Sequence, residues 1–428
     1  MSRRQIMGGA MAALALTVAA GAQVKYSVLH EFGGSGDGAF PASGLAMGSS
    51  GVLYGVTNQG GTGICSGQEG CGTVYSLTSP GTAEGKWTEK ILYSFRGGSD
   101  GALPSGVAVG TDGVLYGTTT YGGGGACRDG GLTGCGTVFA LTPPGTAGGA
   151  WTETAIYSFS GGTEDGALPR AGVTIGSDGT LYGTTEYGGA GVCTGVFSGC
   201  GTVFAVTAPA WTEAVLYAFQ GGPGDGSIPL SGVALMGGTL YGTTTFGGTG
   251  ASGYGVVYEL TPSSTGNGWS AQVLHVFDET DGAYPQAGVL PTTSPGGETI
   301  LFGTTPGGGT SFSGTVFALT ETHGLWKDQV LYSFSGEGES GPQGGVVKAS
   351  EGTLFGTTFE QGTYMDGTLF NLKPNGEGQW VDTVLHSFAP KGGSLPGYTL
   401  TIGPGGILYG TTGGGGGTDK GTAFSLKP

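Results

Sequence analysis

Apolar positions in this chain come in short bursts separated by small and polar residues. Between residues 105 and 159 four bursts follow one another: Ser105 to Val109, Val114 to Thr119, Gly136 to Thr142 and Trp151 to Phe159. Each is rich in β-branched and aromatic residues and is bounded by Gly, Pro or Asp-Gly, the signature of strands and their turns. After the first 22 residues no stretch carries the 3.6-residue period of an amphipathic helix. The pattern predicts an all-β chain built from four-stranded units.

The second burst is written seven times. Leu53-Tyr54, Leu115-Tyr116, Leu181-Tyr182, Leu240-Tyr241, Leu301-Phe302, Leu354-Phe355 and Leu408-Tyr409 are each followed by Gly, with Thr two residues after the aromatic in all but the first, where Val56 stands. Successive aromatics lie 62, 66, 59, 61, 53 and 54 residues apart. Self-similarity at such a period marks a repeat architecture. In the fourth burst Trp87 and Phe95 are eight apart, as are Trp151 and Phe159, Trp211 and Phe219, Trp269 and Phe277, Trp326 and Phe334, and Trp380 and Phe388. On a regular strand that even spacing places both rings on one face.

Seven repeats need seven fourth strands, and only six carry Trp. The missing one stands at the front, where Val24 to Phe32 has the same length and ending. The chain stops after a third strand, Gly421 to Leu426, so the N-terminal strand is expected to complete the last unit and close a ring. The expected architecture is a seven-bladed β-propeller with four antiparallel strands per blade, forming a single domain over residues 23–428. An open β-solenoid and paired smaller propellers are the alternatives.

The tandem LYGTT…GG…GTVFxLT…LYSF pattern resembles the bacterial GloVer repeat family of choice-of-anchor tandem-repeat proteins, over essentially the whole chain after residue 22. The resemblance implies export and repeat architecture rather than a particular chemistry, and no C-terminal anchor is expected before Pro428. The order of the bursts also resembles kelch blades. That resemblance implies that the short SGVAV piece is innermost and the Trp piece outermost.

Composition bears on partners more than on fold. Gly 99 and Pro 20 would suggest low complexity were the glycines not fixed beside aromatic and branched residues. The net charge of −16 leaves no basic stripe for a phosphate backbone or an anionic membrane, so nucleic acid is not an expected partner. Residues 1–22 read as an export signal: Arg3-Arg4, an apolar Ile6 to Ala20 and an Ala20-Gly21-Ala22 cleavage site. The adjacent arginines also resemble the twin-arginine pattern. No later run is long enough for a membrane helix. A secreted or periplasmic monomer is expected.

Six cysteines fall in three pairs, Cys65/Cys71, Cys127/Cys135 and Cys193/Cys200, each in a loop between the second and third strands of repeats 1 to 3. Those loops are longer than their counterparts in repeats 4 to 7. In an exported chain they predict three local disulfides; the spacings, without accompanying histidines, fit zinc poorly. His30, His275 and His386 each stand two residues before the closing Phe, where Tyr93, Tyr157, Tyr217 and Tyr332 stand elsewhere. They read as Tyr substitutes, so no metal is expected from them, and His323 lies alone in a loop. Asp37, Asp100, Asp165, Asp225 and Asp281 each precede Gly, with Pro three residues beyond that Gly, which suits a turn. A ring of these carboxylates taking calcium is the functional alternative, but no Asp-x-Asp-x-Asp-Gly loop supports it.

Tyr121, Tyr187 and Phe246 follow the second strand in repeats 2, 3 and 4, where they can pack over a blade end or present flat faces to sugar rings. The expected inner strands hold one ionisable residue, Lys348, with Arg170 just outside, which argues against acid–base chemistry in a central channel. The reading that follows is an exported binding protein for a polysaccharide or another surface protein, using the face with the long loops. The expected groove lies among the three cysteine loops, with Tyr121 and Tyr187 as ring platforms and Asp100 and Asp165 on its inner side. The alternative is a carbohydrate-active enzyme, a lyase or glycosidase, with loop carboxylates such as Asp129 and Glu186. A structural coat component is the third reading.

Overall fold

The computed structural model describes residues 24–428 except 82–84, 147, 194–196, 250–252, 264–267, 337–340 and 361. The expected export signal lies outside the described residues. Seven antiparallel sheets follow one another as the blades of a β-propeller. Blade 2 shows the plan: inner strand Ala102–Val109, second strand Leu115–Tyr121, third strand Thr137–Thr142 and outer strand Thr152–Ser158, paired in that order.

Closure occurs as the sequence predicts. Blade 7 consists of Thr401–Ile402, Leu408–Thr412, Thr422–Lys427 and, as its outer strand, Lys25–Glu31 from the other end of the chain. The register runs from Lys25 opposite Lys427 to Glu31 opposite Thr422. An ion pair between Lys420 and Glu69 ties blade 7 to blade 1.

The Trp and Phe of each outer strand do not share a face. Val74 pairs with Tyr93 but Tyr75 pairs with Ile91, so Leu92 is an extra, bulged residue. The same shift recurs in the outer strand of every blade. One extra residue turns a separation of eight into seven registered positions, an odd number, and an odd number reverses the face. Each Trp therefore turns back toward the preceding blade. There it meets the second-strand aromatic, as in Trp151 on Tyr54 at 6.4 Å, Trp211 on Tyr116 at 5.8 Å and Trp269 on Tyr182 at 6.0 Å. Each closing Phe points forward onto the third-strand aromatic of the next blade. Phe32 meets Tyr75 at 5.0 Å across the closure, and Phe95 meets Phe139 at 5.2 Å.

The repeated Leu-aromatic-Gly-Thr-Thr run now has a physical reason at each place. The Leu is fully buried in all seven blades. The aromatic receives the next blade's Trp. The Gly lies beneath the third-strand aromatic of its own blade, where an added Cβ would stand 2.3–2.6 Å from ring atoms. The first Thr reaches the next inner strand: Thr118, Thr184, Thr243, Thr304 and Thr411 donate to the carbonyls of Ala171, Ser231, Ala287, Gly344 and Ser43 at 2.7–3.0 Å. The second Thr meets the Thr of the third strand, as Thr119 meets Thr137 at 2.8 Å.

Connections from second to third strands and from outer strands to the next inner strands gather at one end of the blades. They pair with each other there: Gly166–Ala167 with Tyr187–Gly188, and Pro223–Ser227 with Phe246–Thr249. That end also carries the disulfides Cys65–Cys71, Cys127–Cys135 and Cys193–Cys200, as expected.

Candidate functional site

Two cavities open among these elements. The first is the central channel, about 690 Å³, lined by the small inner-strand residues of all seven blades. Its charged lining is one pair, with Arg170 Nε donating to Glu186 Oε2 at 2.5 Å. Lys348, the ionisable residue expected on the inner strands, instead lies over the Phe302 ring at 5.1 Å. Glu186 reaches the channel because it follows the second strand directly, a placement that inner-strand letters do not reveal.

The second cavity, about 530 Å³, is a groove between the loops of blades 4 and 5. Phe246 and Tyr284 meet edge to face at 5.5 Å, and Tyr254 stands 5.6 Å from Tyr284. Phe312 is 64% exposed on the groove's rim. Tyr254 Oη donates to Glu279 Oε2 at 3.1 Å. Glu279 adopts φ 77°, a left-handed conformation that blades 7, 1, 2 and 3 give to Gly34, Gly97, Gly161 and Gly221. A non-glycine residue there costs about 1–2 kcal/mol. Gln286 and Gln343 line both the groove and the channel, so the two cavities adjoin there.

The residues expected to form a site distribute themselves differently. Phe246 lies in the groove. Tyr121 is not an open platform: it is 4% exposed, its hydroxyl donates to Asp129 at 3.1 Å, and burial with that neighbouring acid pushes its pKa up to about 12. Tyr187 is half-buried against Phe197 at 5.6 Å. Burial and then the Glu186 charge raise its pKa, and the Arg170 charge opposes them, so Tyr121 and Tyr187 both flank the Arg170–Glu186 pair.

Asp100 and Asp165 are engaged in their own loops. Asp100 accepts from Tyr93 Oη at 2.8 Å and from Arg96 N, and Asp165 accepts from Ser160 N and Gly166 N at 2.7 and 2.6 Å. These are the turn roles that Asp-Gly predicts. Neither Asp lines either cavity.

The same aspartates take part in a cluster repeated at the blade interfaces. In five blades a carboxylate two residues after the outer-strand Trp, Glu89, Glu153, Glu213, Asp328 or Asp382, faces the Tyr or His of the preceding blade; blade 4 has Ala271 in that place and blade 7 has Tyr26. Burial, assisted by Asp100 and Asp165, pushes Glu153 and Glu213 up to about 7. Burial alone carries Asp382 to about 6 against an opposing backbone hydrogen bond. At three interfaces the Tyr is a His: His30 lies with Asp37 and Glu89, His275 with Asp281 and Asp328, and His386 stacks on Tyr26 at 3.9 Å. Burial lowers the affinity of His275 for a proton, but the Asp281 hydrogen bond and the nearby carboxylates outweigh it and raise its pKa. The sequence reading of these histidines as Tyr substitutes is right about their place. It missed the acids around them, because those come from two other segments.

A closed ring of seven sheets with its loops gathered on one face defines a repeat propeller, a scaffold on which binding and catalytic sites are both built. The chain belongs to the Gloeobacter/Verrucomicrobia repeat family, whose pattern matches residues 15–197, 67–297 and 191–424. Among solved structures it is similar to a puromycin hydrolase, with 13% identity over 88% of this chain and 50% of that one and a TM-score of 0.50. A gluconolactonase from Xanthomonas campestris is 12% identical over 94% of this chain and 89% of that one, with a TM-score of 0.41. For a luciferin-regenerating enzyme the figures are 12%, 91%, 92% and 0.40. At such identities the likeness is one of fold. None of the curated proteins matches the sequence. Among the described residues no helix is long and apolar enough to cross a membrane.

Proposed function

We propose that this protein is an exported polysaccharide-binding propeller whose ligand lies across the long-loop face, from the groove between blades 4 and 5 to the mouth of the central channel. The observation that carries this reading is the groove itself. Its aromatic wall of Phe246 and Tyr284, the latter backed by Tyr254, the exposed Phe312 and the held carboxylate of Glu279 combine flat apolar surfaces with hydrogen-bond acceptors, the chemistry of a sugar ring's two aspects. Its position beside the channel, with Gln286 and Gln343 lining both, suits an extended chain better than a single small molecule. Export is supported by the leader-like residues 1–22 and by three disulfides.

The enzyme reading has less behind it. Glycoside hydrolysis by the usual route takes two carboxyl groups flanking the bond. The channel lining offers Glu186, already paired with Arg170, and the groove offers Glu279, already held by Tyr254.

A panel of soluble polysaccharides titrated calorimetrically tests the proposal. For any glycan bound, Tyr284→Ala with Phe312→Ala should weaken affinity by about tenfold or more, the loss of ~1–2 kcal/mol of contact, with the melting temperature nearly unchanged. Undiminished affinity in that folded variant would refute the groove.

A further inference from the structure

The histidine-bearing blade interfaces hold two clusters that the glycan reading does not use. At the interface of blades 4 and 5, His275 Nε2 stands 2.9 Å from Asp281 Oδ2, and Asp328 of the next blade offers a third donor. At the closing interface of blades 7 and 1, His30 Nε2 stands 3.3 Å from Asp37 Oδ2, and Glu89 takes the third place. In each cluster all three donor atoms lie within 4.8 Å of one another.

We propose that each cluster binds a divalent transition metal of the zinc type, clamping one blade to the next. Three features of the geometry support it.

The donor set is one imidazole nitrogen and two carboxylate oxygens, which suits zinc and its neighbours, whereas calcium takes oxygen alone. Zinc held at about 2.0–2.2 Å by tetrahedral donors requires them roughly 3.4 Å apart; the His30–Asp37 pair stands at 3.3 Å, and the His275–Asp281 pair, at 2.9 Å, needs to open by only about half an ångström.

The third ligand is left wanting in both clusters. Glu89 Oε1 and Asp328 Oδ1 are shut off from solvent with no hydrogen-bond partner among the described residues. A carboxylate oxygen so placed is costly unless a proton or a cation reaches it. The corresponding Glu153 and Glu213 at the Tyr-bearing interfaces share that condition, but a neutral phenol gives a metal nothing comparable to imidazole.

The aspartates are also fixed in advance. Asp37 accepts from Gly33 N and Gly38 N at 2.8 and 2.7 Å, and Asp281 accepts from Asp278 N at 3.1 Å, each through the turn that carries it. Outer partners of this kind orient metal ligands and strengthen binding. The blade 4/5 cluster anchors the loop that bears Glu279 and Tyr284, so a metal there would stiffen one wall of the groove. The inference itself does not depend on what the groove binds.

Nature supplies the control variant: Tyr stands in the His place at four other blades, so His30→Tyr and His275→Tyr restore the ordinary repeat and should fold. The purified chain, stripped with EDTA, is titrated with Zn²⁺ in a calorimeter and melted with and without the metal. Two equivalents should bind to the parent chain. Each single variant should lose one site, weakened by more than about tenfold. The double variant should bind neither and show no zinc-dependent rise in melting temperature. Absence of zinc binding to the parent chain, or binding undiminished in the folded double variant, overturns the proposal.

Discussion

Glu153 and Glu213 make a defined pH dependence available. Both are neutral in the fold up to about pH 7, because burial and the neighbouring Asp100 or Asp165 disfavour their charge, whereas the unfolded chain ionises them near 4.5. Below 4.5 each is protonated in both states and contributes no pH dependence. Between 4.5 and 7 the folded state binds the extra proton, so stability falls as pH rises through that window, and above 7 the loss is complete. Taken at face value such a displacement is worth ~3 kcal/mol per group. Both side chains are only half-buried, and screening by solvent brings this to ~1 kcal/mol each, or ~2 kcal/mol together. Melting entropy of roughly 2.1 cal/mol/K per residue over the chain converts that to about 2 °C. The double variant Glu153→Gln with Glu213→Gln keeps the shape and removes the titration. Calorimetric melting in metal-free buffer should find parent and variant alike at pH 4.5 and the variant higher by about 2 °C at pH 8. His275 and His386, whose shifts run in opposite directions, cancel in the difference between the two proteins. Parallel profiles for parent and variant across the whole range would refute the reasoning.

Two further outcomes follow from packing. Removing residues 24–32 strips the outer strand from Thr422–Lys427 and takes Phe32 off Tyr75, so the shortened chain should aggregate or melt far below the parent; a monomer with unchanged melting would show that the closure is dispensable. Gly242→Ala would place a Cβ 2.4 Å from Tyr258 Oη and should cost about 1–3 kcal/mol or more, while Gly145→Ala, with open space around it, should be neutral in the same melting assay.

Much of the fold was legible because repetition turns weak local signals into a strong one. Seven copies of one strand, and the count of third against fourth strands, sufficed to place Lys25–Glu31 in blade 7. The bulge at Leu92 and its counterparts was not legible. Eight residues between Trp and Phe look like even alternation, and only the partner strand reveals that one of them is unpaired. The site was harder for a related reason. Tyr121 reads as a loop aromatic, yet the cysteine-bearing insertion that follows it brings Asp129 to its hydroxyl and covers it. The groove at blades 4 and 5 did leave a trace: Phe277-Asp278-Glu279 stands where Phe95-Arg96-Gly97, Phe159-Ser160-Gly161 and Phe219-Gln220-Gly221 keep glycine. A glutamate in a place that blades 7, 1, 2 and 3 fill with left-handed glycine is a local rule broken, and such breaks gather at functional sites.

The reversal of face within each outer strand gives every blade a polarity. Phe leads into the following sheet and Trp trails onto the preceding one, so no blade meets a neighbour through a self-matching surface. Contacts of this head-to-tail kind stop propagating only when the circle is complete. The N-terminal strand is thus a stopper as well as a partner. It settles the seventh blade onto the first within one molecule, where an unfinished circle would leave a leading end and a trailing end that fit each other on separate molecules and string them into a chain.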